Sequence, residues 1–245
     1  AVSFSTLDYV GHEFGPHAQE TLDIFLRIDD AVGRLLKVLD RRVGRGRYLL
    51  ALSSDHGSVI PPEEAAKQGV DAVRINPAEL RQRAQKKMPP GRTVAEVNPP
   101  YVFLGPLPAG QAAAIRRAAA AEVAQHPRIL KAVAREDVDE LGEPYATMFR
   151  RSMFPGRRAD ILFLQRPHDY ISGPGADGIG HGSGHGSPYI YDMAVPVWIF
   201  GPGVRPRVDR RRHEVIQLAP TLTGLLGVDP PAAAYAAPLP GLLDP

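Results

Sequence analysis

The sequence of 245 residues contains no cysteine. Disulfide bonds and thiolate metal sites are therefore excluded, and any metal must be held by imidazole nitrogens and oxygen ligands. The chain also has no apolar run close to the roughly 20 residues that a membrane-spanning helix needs, so no membrane span is predicted. Its first residues lack the basic segment and the apolar segment of a secretory signal peptide.

Charge of one sign is not in excess either, because the formal net charge is only +2. The densest basic run covers residues 205–213 and contains five arginines but no aromatic side chain. Nucleic-acid binding needs a basic face with a recognisable reading element, so this run is predicted to be a solvated surface loop. A hydrophobic fraction of 44% and a charged fraction of 23% are ordinary for a globular protein. The chain is therefore predicted to fold, without a nucleic-acid partner.

Strands and helices alternate at the start of the chain. Residues 2–4 read as a short apolar strand, and apolar residues recur at helical spacing from 17 to about 42. Residues 48–52 form a continuous apolar run of the kind that is buried on both faces of a parallel sheet. This order predicts a βαβ unit with a right-handed crossover. Because a natural start seldom falls inside a strand, we expect further sequence upstream.

The character of the chain changes between residues 61 and 158. Prolines are scattered there, and two predicted strands, 101–104 and 129–133, flank an alanine-rich helix over 111–125. We predict that residues 61–158 form a small α+β cap insertion. Residues 1–60 and 159–245 then form the metal-binding core, to which strand 160–164 returns, followed by a strand over 194–200 and a helix over 215–226. The predicted fold class is α/β, a doubly wound, mostly parallel sheet with helices on both faces.

Side chains of the types that bind zinc follow the predicted strands. Asp8 and His12 are separated by three residues, so on a helical turn they face the same side. Asp55 and His56 follow the apolar run, and the glycine after them lets the backbone turn so that both side chains converge. The alternative for each pair is an acidic residue in a cap or turn beside a surface histidine.

A third ligand lies in the glycine-rich stretch near residue 180, where His181 and His185 are both candidates. The same composition is also typical of a flexible linker with incidental histidines. Two carboxylates and three imidazoles fit a site for two zinc ions.

Three motifs stand in order along the chain: Asp8-Tyr-Val-Gly-His12-Glu-Phe-Gly-Pro16, Ser54-Asp-His-Gly57 and His185-Gly-Ser-Pro-Tyr-Ile-Tyr-Asp-Met-Ala-Val-Pro196. Together they resemble the C-terminal half of the alkaline phosphatase superfamily. The most similar branch is the type I phosphodiesterase and nucleotide pyrophosphatase-like group, which includes single-chain alkaline phosphatases. Residues 219–230 are similar to the C-terminal helix of that group.

The resemblance implies a ligand set at the matching positions. Asp8, His12 and His185 would hold one zinc ion, while Asp55 and His56 would contribute to a second. His185 is preferred to His181 because its distance along the chain to Asp192 and Pro196 fits the family pattern.

The resemblance also implies an activity, namely hydrolysis of a small phosphate ester through a phosphoenzyme. No segment here matches the family's nucleophile or its remaining metal-binding aspartate, so no catalytic residue is assigned and the domain is expected to be incomplete. The partner would be the missing N-terminal half of the same enzyme, in a periplasmic or secreted protein. Alternatives are a phosphodiesterase or nucleotide pyrophosphatase, and a non-catalytic metal-binding fragment. The sequence does not distinguish monoester substrates from diester substrates.

Overall fold

The computed structural model describes residues 1–173 and 182–243. The helices in these ranges are α1 (Thr6–Phe14), α2 (Gln19–Leu39), α3 (Pro62–Lys67), α4 (Pro77–Gln85), α5 (Ala112–Ala124), α6 (Tyr145–Ser152), α7 (Ile190–Met193) and α8 (Leu218–Leu226). The strands are β1 (Leu50–Ser53), β2 (Arg74–Ile75), β3 (Val94–Asn98), β4 (Tyr101–Leu104), β5 (Ile129–Ala134), β6 (Ile161–Gln165), β7 (Tyr170–Ile171) and β8 (Val197–Phe200). No helix in the described ranges combines the length and apolar character needed to cross a lipid bilayer.

The first of two compact units consists of Ala1–Leu26 and His56–Ala194. Its main sheet has the strand order β3-β4-β6-β5, and every neighbouring pair is antiparallel. A second, two-stranded sheet pairs β2 with β7 in parallel.

Strand β6 forms the centre of the first unit, and all five of its residues are buried. Successive side chains on a strand point to opposite faces, so this strand contributes residues to two apolar clusters, one on each face. Ile161 and Phe163 join the cluster that includes residues of α4 and α5. Leu162 and Leu164 join the cluster that includes Phe149 of α6. A continuous apolar sequence is therefore required here, because both faces of β6 are covered.

The second compact unit consists of Arg27–Asp55 and Val195–Pro245. Strands β1 and β8 pair antiparallel in it, with Leu50 opposite Phe200 and Ser53 opposite Val197. Pro196 stands immediately before β8, where its missing N–H removes no bond from the ladder. Helix α8 ends at Gly227, whose φ of +68° is the left-handed conformation that glycine adopts most readily.

The sequence-based elements are mostly confirmed. The predicted helices over 17–42, 111–125 and 215–226 correspond to α2, to α5, and to α8 with the short 3-10 helix Val215–Gln217 before it. The strands predicted over 48–52, 101–104, 129–133 and 194–200 correspond to β1, β4, β5 and β8. The α/β class is also confirmed. The division into a core of residues 1–60 and 159–245 and a cap of residues 61–158 stays a prediction.

Strand directions and partners differ from expectation at three points. Residues 2–4 form no strand, so the predicted βαβ unit is wrong, and the chain enters α1 directly. The strand over 160–164 was expected to return to the sheet of the core, but it pairs with β4 and β5. Among the described strands only β2 and β7 pair in parallel, whereas a mostly parallel sheet was expected. An apolar run shows that a strand is buried on both faces, but not the direction of its neighbour.

Candidate metal centre

Four side chains of the first compact unit meet at one carboxylate oxygen. Oδ1 of Asp8 lies 3.4 Å from Nε2 of His12, 3.7 Å from Nε2 of His56 and 3.8 Å from Nε2 of His185. One ligand atom from each of Asp8, His12 and His185 lies within 4.8 Å of the other two. The four side chains are between 25% and 42% exposed, so a small ion or ligand can reach them from solvent.

Helix α1 brings the first two of these side chains together. Asp8 and His12 are four positions apart on it, which places them on the same face one turn apart. The helix ends at Gly15, whose φ of +92° turns the chain away. The spacing seen in the sequence is therefore realised as a helical pair.

Two of the three imidazoles are oriented by hydrogen bonds at their other nitrogen. Nδ1 of His12 lies 2.9 Å from the carbonyl oxygen of Ser183, and Nδ1 of His56 lies 2.9 Å from the carbonyl oxygen of Gly57. A carbonyl can only accept, so both rings carry their proton on Nδ1. In a neutral ring with this tautomer, the lone pair of Nε2 is directed at Asp8, as metal ligation requires.

The segment that carries His185 is joined to α1 by backbone and side-chain bonds. Ser183 is buried; its N–H donates to the carbonyl oxygen of His12 and its hydroxyl donates to that of Gly11. A Cβ on Gly182 would lie 1.7 Å from the carbonyl oxygen of His12, and the residue has a φ of +61°. Only glycine therefore permits this approach between the segment and the helix.

The segment that carries His56 is held against α7. The N–H of Gly57 donates to the carbonyl oxygen of Asp192 at 2.7 Å. A Cβ on Gly57 would lie 2.0 Å from the carbonyl oxygen of Tyr191. The carboxylate of Asp192 in turn accepts from the N–H of Ser187 at 2.8 Å. Asp192 thus bonds to both segments that carry the later histidines.

Burial shifts the ionisation of two groups here. The pKa of His185 is lowered by burial and then by the neighbouring imidazoles of His56 and His12. A lowered pKa favours the neutral imidazole, the form that binds metals. The pKa of Asp192 is raised by burial, against the opposing effect of its hydrogen bonds with Ser187.

A polar cavity of about 200 Å³ adjoins the group, and His185 and Asp192 are both in its wall. Gln165, at the end of β6, lines it too. Within the part of the chain that the structure describes, Oε1 of Gln165 and Oδ1 of Asp192 are buried without a hydrogen-bond partner. Buried oxygens of this kind normally bind a donor or an ordered water.

Four of the five predicted ligands lie close together in the first unit. The structure brings Asp8, His12, His56 and His185 together within one unit. Asp55 is exposed and belongs to the second unit, and its place in a zinc site stays a prediction. His181, the alternative to His185, lies outside the described residues.

Sequence reasoning missed Ser183 and Asp192 as supporting residues. A signal for Asp192 was present, since it is the single charged residue in the otherwise apolar or aromatic stretch from 189 to 196. Ser183 gave no signal, because its role depends on backbone contacts with α1 that are distant in sequence.

Comparison with known proteins bears on the family and the fold. Residues 1–186 match the model of a family described as type I phosphodiesterase / nucleotide pyrophosphatase. The chain is 25% identical over 254 residues to a protein from Myroides odoratus named calcium-transporting ATPase, with 98% of this chain and 45% of that protein covered. It is 24% identical over 247 residues to alkaline phosphatase PafA from Elizabethkingia meningoseptica, with 97% and 44% covered.

The crystal structure of wild-type PafA superposes with a TM-score of 0.80 at 24% identity, covering 96% of this chain and 45% of that one. At this identity the likeness shows a shared fold. The chain spans less than half the length of these relatives.

Proposed function

Because the chain belongs to the type I phosphodiesterase and nucleotide pyrophosphatase family, we propose that it supplies the zinc-binding part of a phosphoric ester hydrolase. The resemblance inferred from its three motifs is thereby confirmed. The observation that carries the proposal is the convergence of Asp8, His12 and His185 on one point, with His56 beside them.

The donor set fits zinc, which takes imidazole nitrogen and carboxylate oxygen in tetrahedral sites. In the proposal, Asp8, His12 and His185 hold the first of two zinc ions, and Asp55 and His56 contribute to the second. When bound, such ions supply positive charge to the phosphoryl group and to the attacking and leaving oxygens.

The protein's own residues orient the ligands. The carbonyl oxygens of Ser183 and Gly57 hold the Nδ1 protons of His12 and His56, so that each ring presents a lone pair at Nε2. Helix α1 fixes Asp8 relative to His12. The proposal assigns no nucleophile within these 245 residues, and a phosphoenzyme would need a hydroxyl supplied from elsewhere in the protein.

The substrate is proposed to be a small phosphate ester. Monoester hydrolysis has the support of relatives named alkaline phosphatase. Diester or pyrophosphate hydrolysis is the second candidate, and the description of the matching family supports it. Localisation of the protein in the periplasm or outside the cell is part of the same proposal and follows from the resemblance alone.

Zinc titration by calorimetry tests the metal site on this chain. We expect tight binding by the parent chain and its loss in Asp8→Ala and in His12→Ala, because each removes one of three clustered donors. His17→Ala is the matched control, because His17 is 57% exposed, pairs with Glu64 and lies outside the group. Zinc uptake that both ligand variants retain would overturn the proposed site.

Activity is measured on the protein as its gene encodes it. We expect zinc-dependent hydrolysis of p-nitrophenyl phosphate, and the rate on bis-p-nitrophenyl phosphate separates the monoester from the diester candidate. A protein that binds zinc but cleaves neither ester would be a metal-binding protein without this catalytic function.

A further inference from the structure

Of the three clustered imidazoles, His185 is the one without an orienting hydrogen bond to a described residue. Its Nε2 faces Asp8 at 3.8 Å, as the Nε2 atoms of the other two rings do. Nδ1 of His12 and Nδ1 of His56 bond to backbone carbonyls. Nδ1 of His185 makes no hydrogen bond to any other residue in the described ranges. Its ring is positioned by contacts with its neighbours, including the stacked ring of His56.

One carboxylate oxygen of Asp192 lacks a hydrogen-bond donor among the described residues. The residue is 4% exposed, its Oδ2 accepts from the N–H of Ser187, and its Oδ1 has no partner among residues 1–173 and 182–243. A buried oxygen left without a hydrogen bond costs about 1–3 kcal/mol, and more when the group is charged. Oδ1 of Asp192 therefore needs a donor in its surroundings.

The side chains of His185 and Asp192 share one cavity. His185 and Asp192 both line it, and its volume of about 200 Å³ exceeds the roughly 30 Å³ that a water molecule occupies. Histidines that bind a metal almost always donate their other N–H to a carboxylate, a carbonyl or a water. A water between Nδ1 of His185 and Oδ1 of Asp192 would satisfy both groups.

We propose that Asp192 is a positioning residue for His185: it accepts, through a water in this cavity, the hydrogen bond that keeps the His185 proton on Nδ1 and Nε2 directed at Asp8. The inference rests on the proposed function, because the orientation matters only if Nε2 binds a metal. Asp192 also ties the two segments together, since its carbonyl oxygen accepts from the N–H of Gly57.

The test is the isosteric variant Asp192→Asn. Its carbonyl oxygen can still accept from the N–H of Ser187, but its NH₂ group then faces the cavity and donates where the carboxylate accepted. We expect nitrogen NMR of the zinc-free protein to show His185 shifted toward the Nε2–H tautomer. Zinc affinity measured by calorimetry should fall about 10–100-fold, the usual effect of losing such a partner.

Gln165→Leu is the matched control, because it leaves Asp192 intact and removes a second buried oxygen of the same cavity that has no partner among the described residues. It should leave the His185 tautomer and the zinc affinity unchanged. The thermal unfolding of both variants is followed by circular dichroism to confirm that each is folded.

The outcomes separate this inference from the proposed function. An unchanged His185 tautomer in Asp192→Asn, or an equal loss of zinc affinity in Gln165→Leu, overturns the positioning role while the metal site stands. A parent chain that binds no zinc overturns the proposed function. The tautomer measurement, made without zinc, still reports whether Asp192 orients His185.

Discussion

One of the close backbone approaches around the candidate metal centre occurs at Gly57. Substitution to alanine would place a Cβ 2.0 Å from the carbonyl oxygen of Tyr191, and neither atom belongs to a flexible side-chain end. The two segments would have to separate, which would also break the hydrogen bond from Gly57 N–H to Asp192. We expect Gly57→Ala to lower the free energy of unfolding by about 1–3 kcal/mol, as overpacking does, and to weaken zinc binding.

Urea denaturation and calorimetry measure these two effects, with Gly33→Ala as the control. Gly33 lies within α2, and a Cβ there meets no atom within 4 Å. Alanine should therefore stabilise that helix by about 0.5–1 kcal/mol. A Gly57→Ala protein as stable as the parent would contradict the close approach.

The sequence predicted the candidate ligands better than the residues that support them. The i,i+4 spacing of Asp8 and His12 is a local property of one helix, so it could be read directly. Ser183 and Asp192 act through bonds between segments that are distant in the chain. Such contacts depend on the tertiary arrangement, and a single sequence does not encode them as a recognisable pattern.

Strand β6 contributes to both apolar clusters of the first unit, one on each of its faces. Phe163 is fully buried at its centre. We expect Phe163→Ala to cost about 3–5 kcal/mol of unfolding free energy, the usual range for a buried phenylalanine.

Leu130→Ala on the neighbouring strand β5 is the matched control in urea denaturation. Leu130 is 58% exposed, so its truncation should change stability by less than about 0.5 kcal/mol. Similar losses in the two variants would mean that β6 is not the buried centre of the sheet.

The existence of β4, β5 and β6 followed from their apolar and β-branched residues, but their pairing did not. Tyr101 pairs with Leu162, and Ala134 with Ile161, in antiparallel register. Buried strands have the same apolar composition whether the neighbour runs parallel or antiparallel. The sequence pattern therefore predicts burial, while the direction is decided by connections and packing that it does not record.

Considered as a whole, the chain leaves much apolar surface on α2 uncovered. Leu22, Phe25 and Leu26 are 57%, 54% and 57% exposed and recur at i, i+3 and i+4. Contiguous exposed apolar surface promotes association. We expect the chain to bind the dye ANS and to self-associate, and expect Phe25→Lys to reduce both without loss of stability.

ANS fluorescence and sedimentation velocity are the measurements, with Gln19→Lys as the control. That variant adds the same charge to the same helix at an exposed polar position, so it should leave dye binding unchanged. A parent chain that stays monomeric at high concentration and binds no dye would contradict the prediction. Composition alone predicted a folded globular chain, but not which helix would be left exposed.

The contact of Gly57 with the backbone of Tyr191 and Asp192 also constrains protein engineering. The two histidine-bearing segments are interlocked through main-chain atoms, which no choice of side chains at other positions can replace. Transplanting the Ser54-Asp-His-Gly57 motif into another scaffold would therefore carry His56 without the support it has here. Residues 182–192 and helix α1 must be grafted with it as one unit.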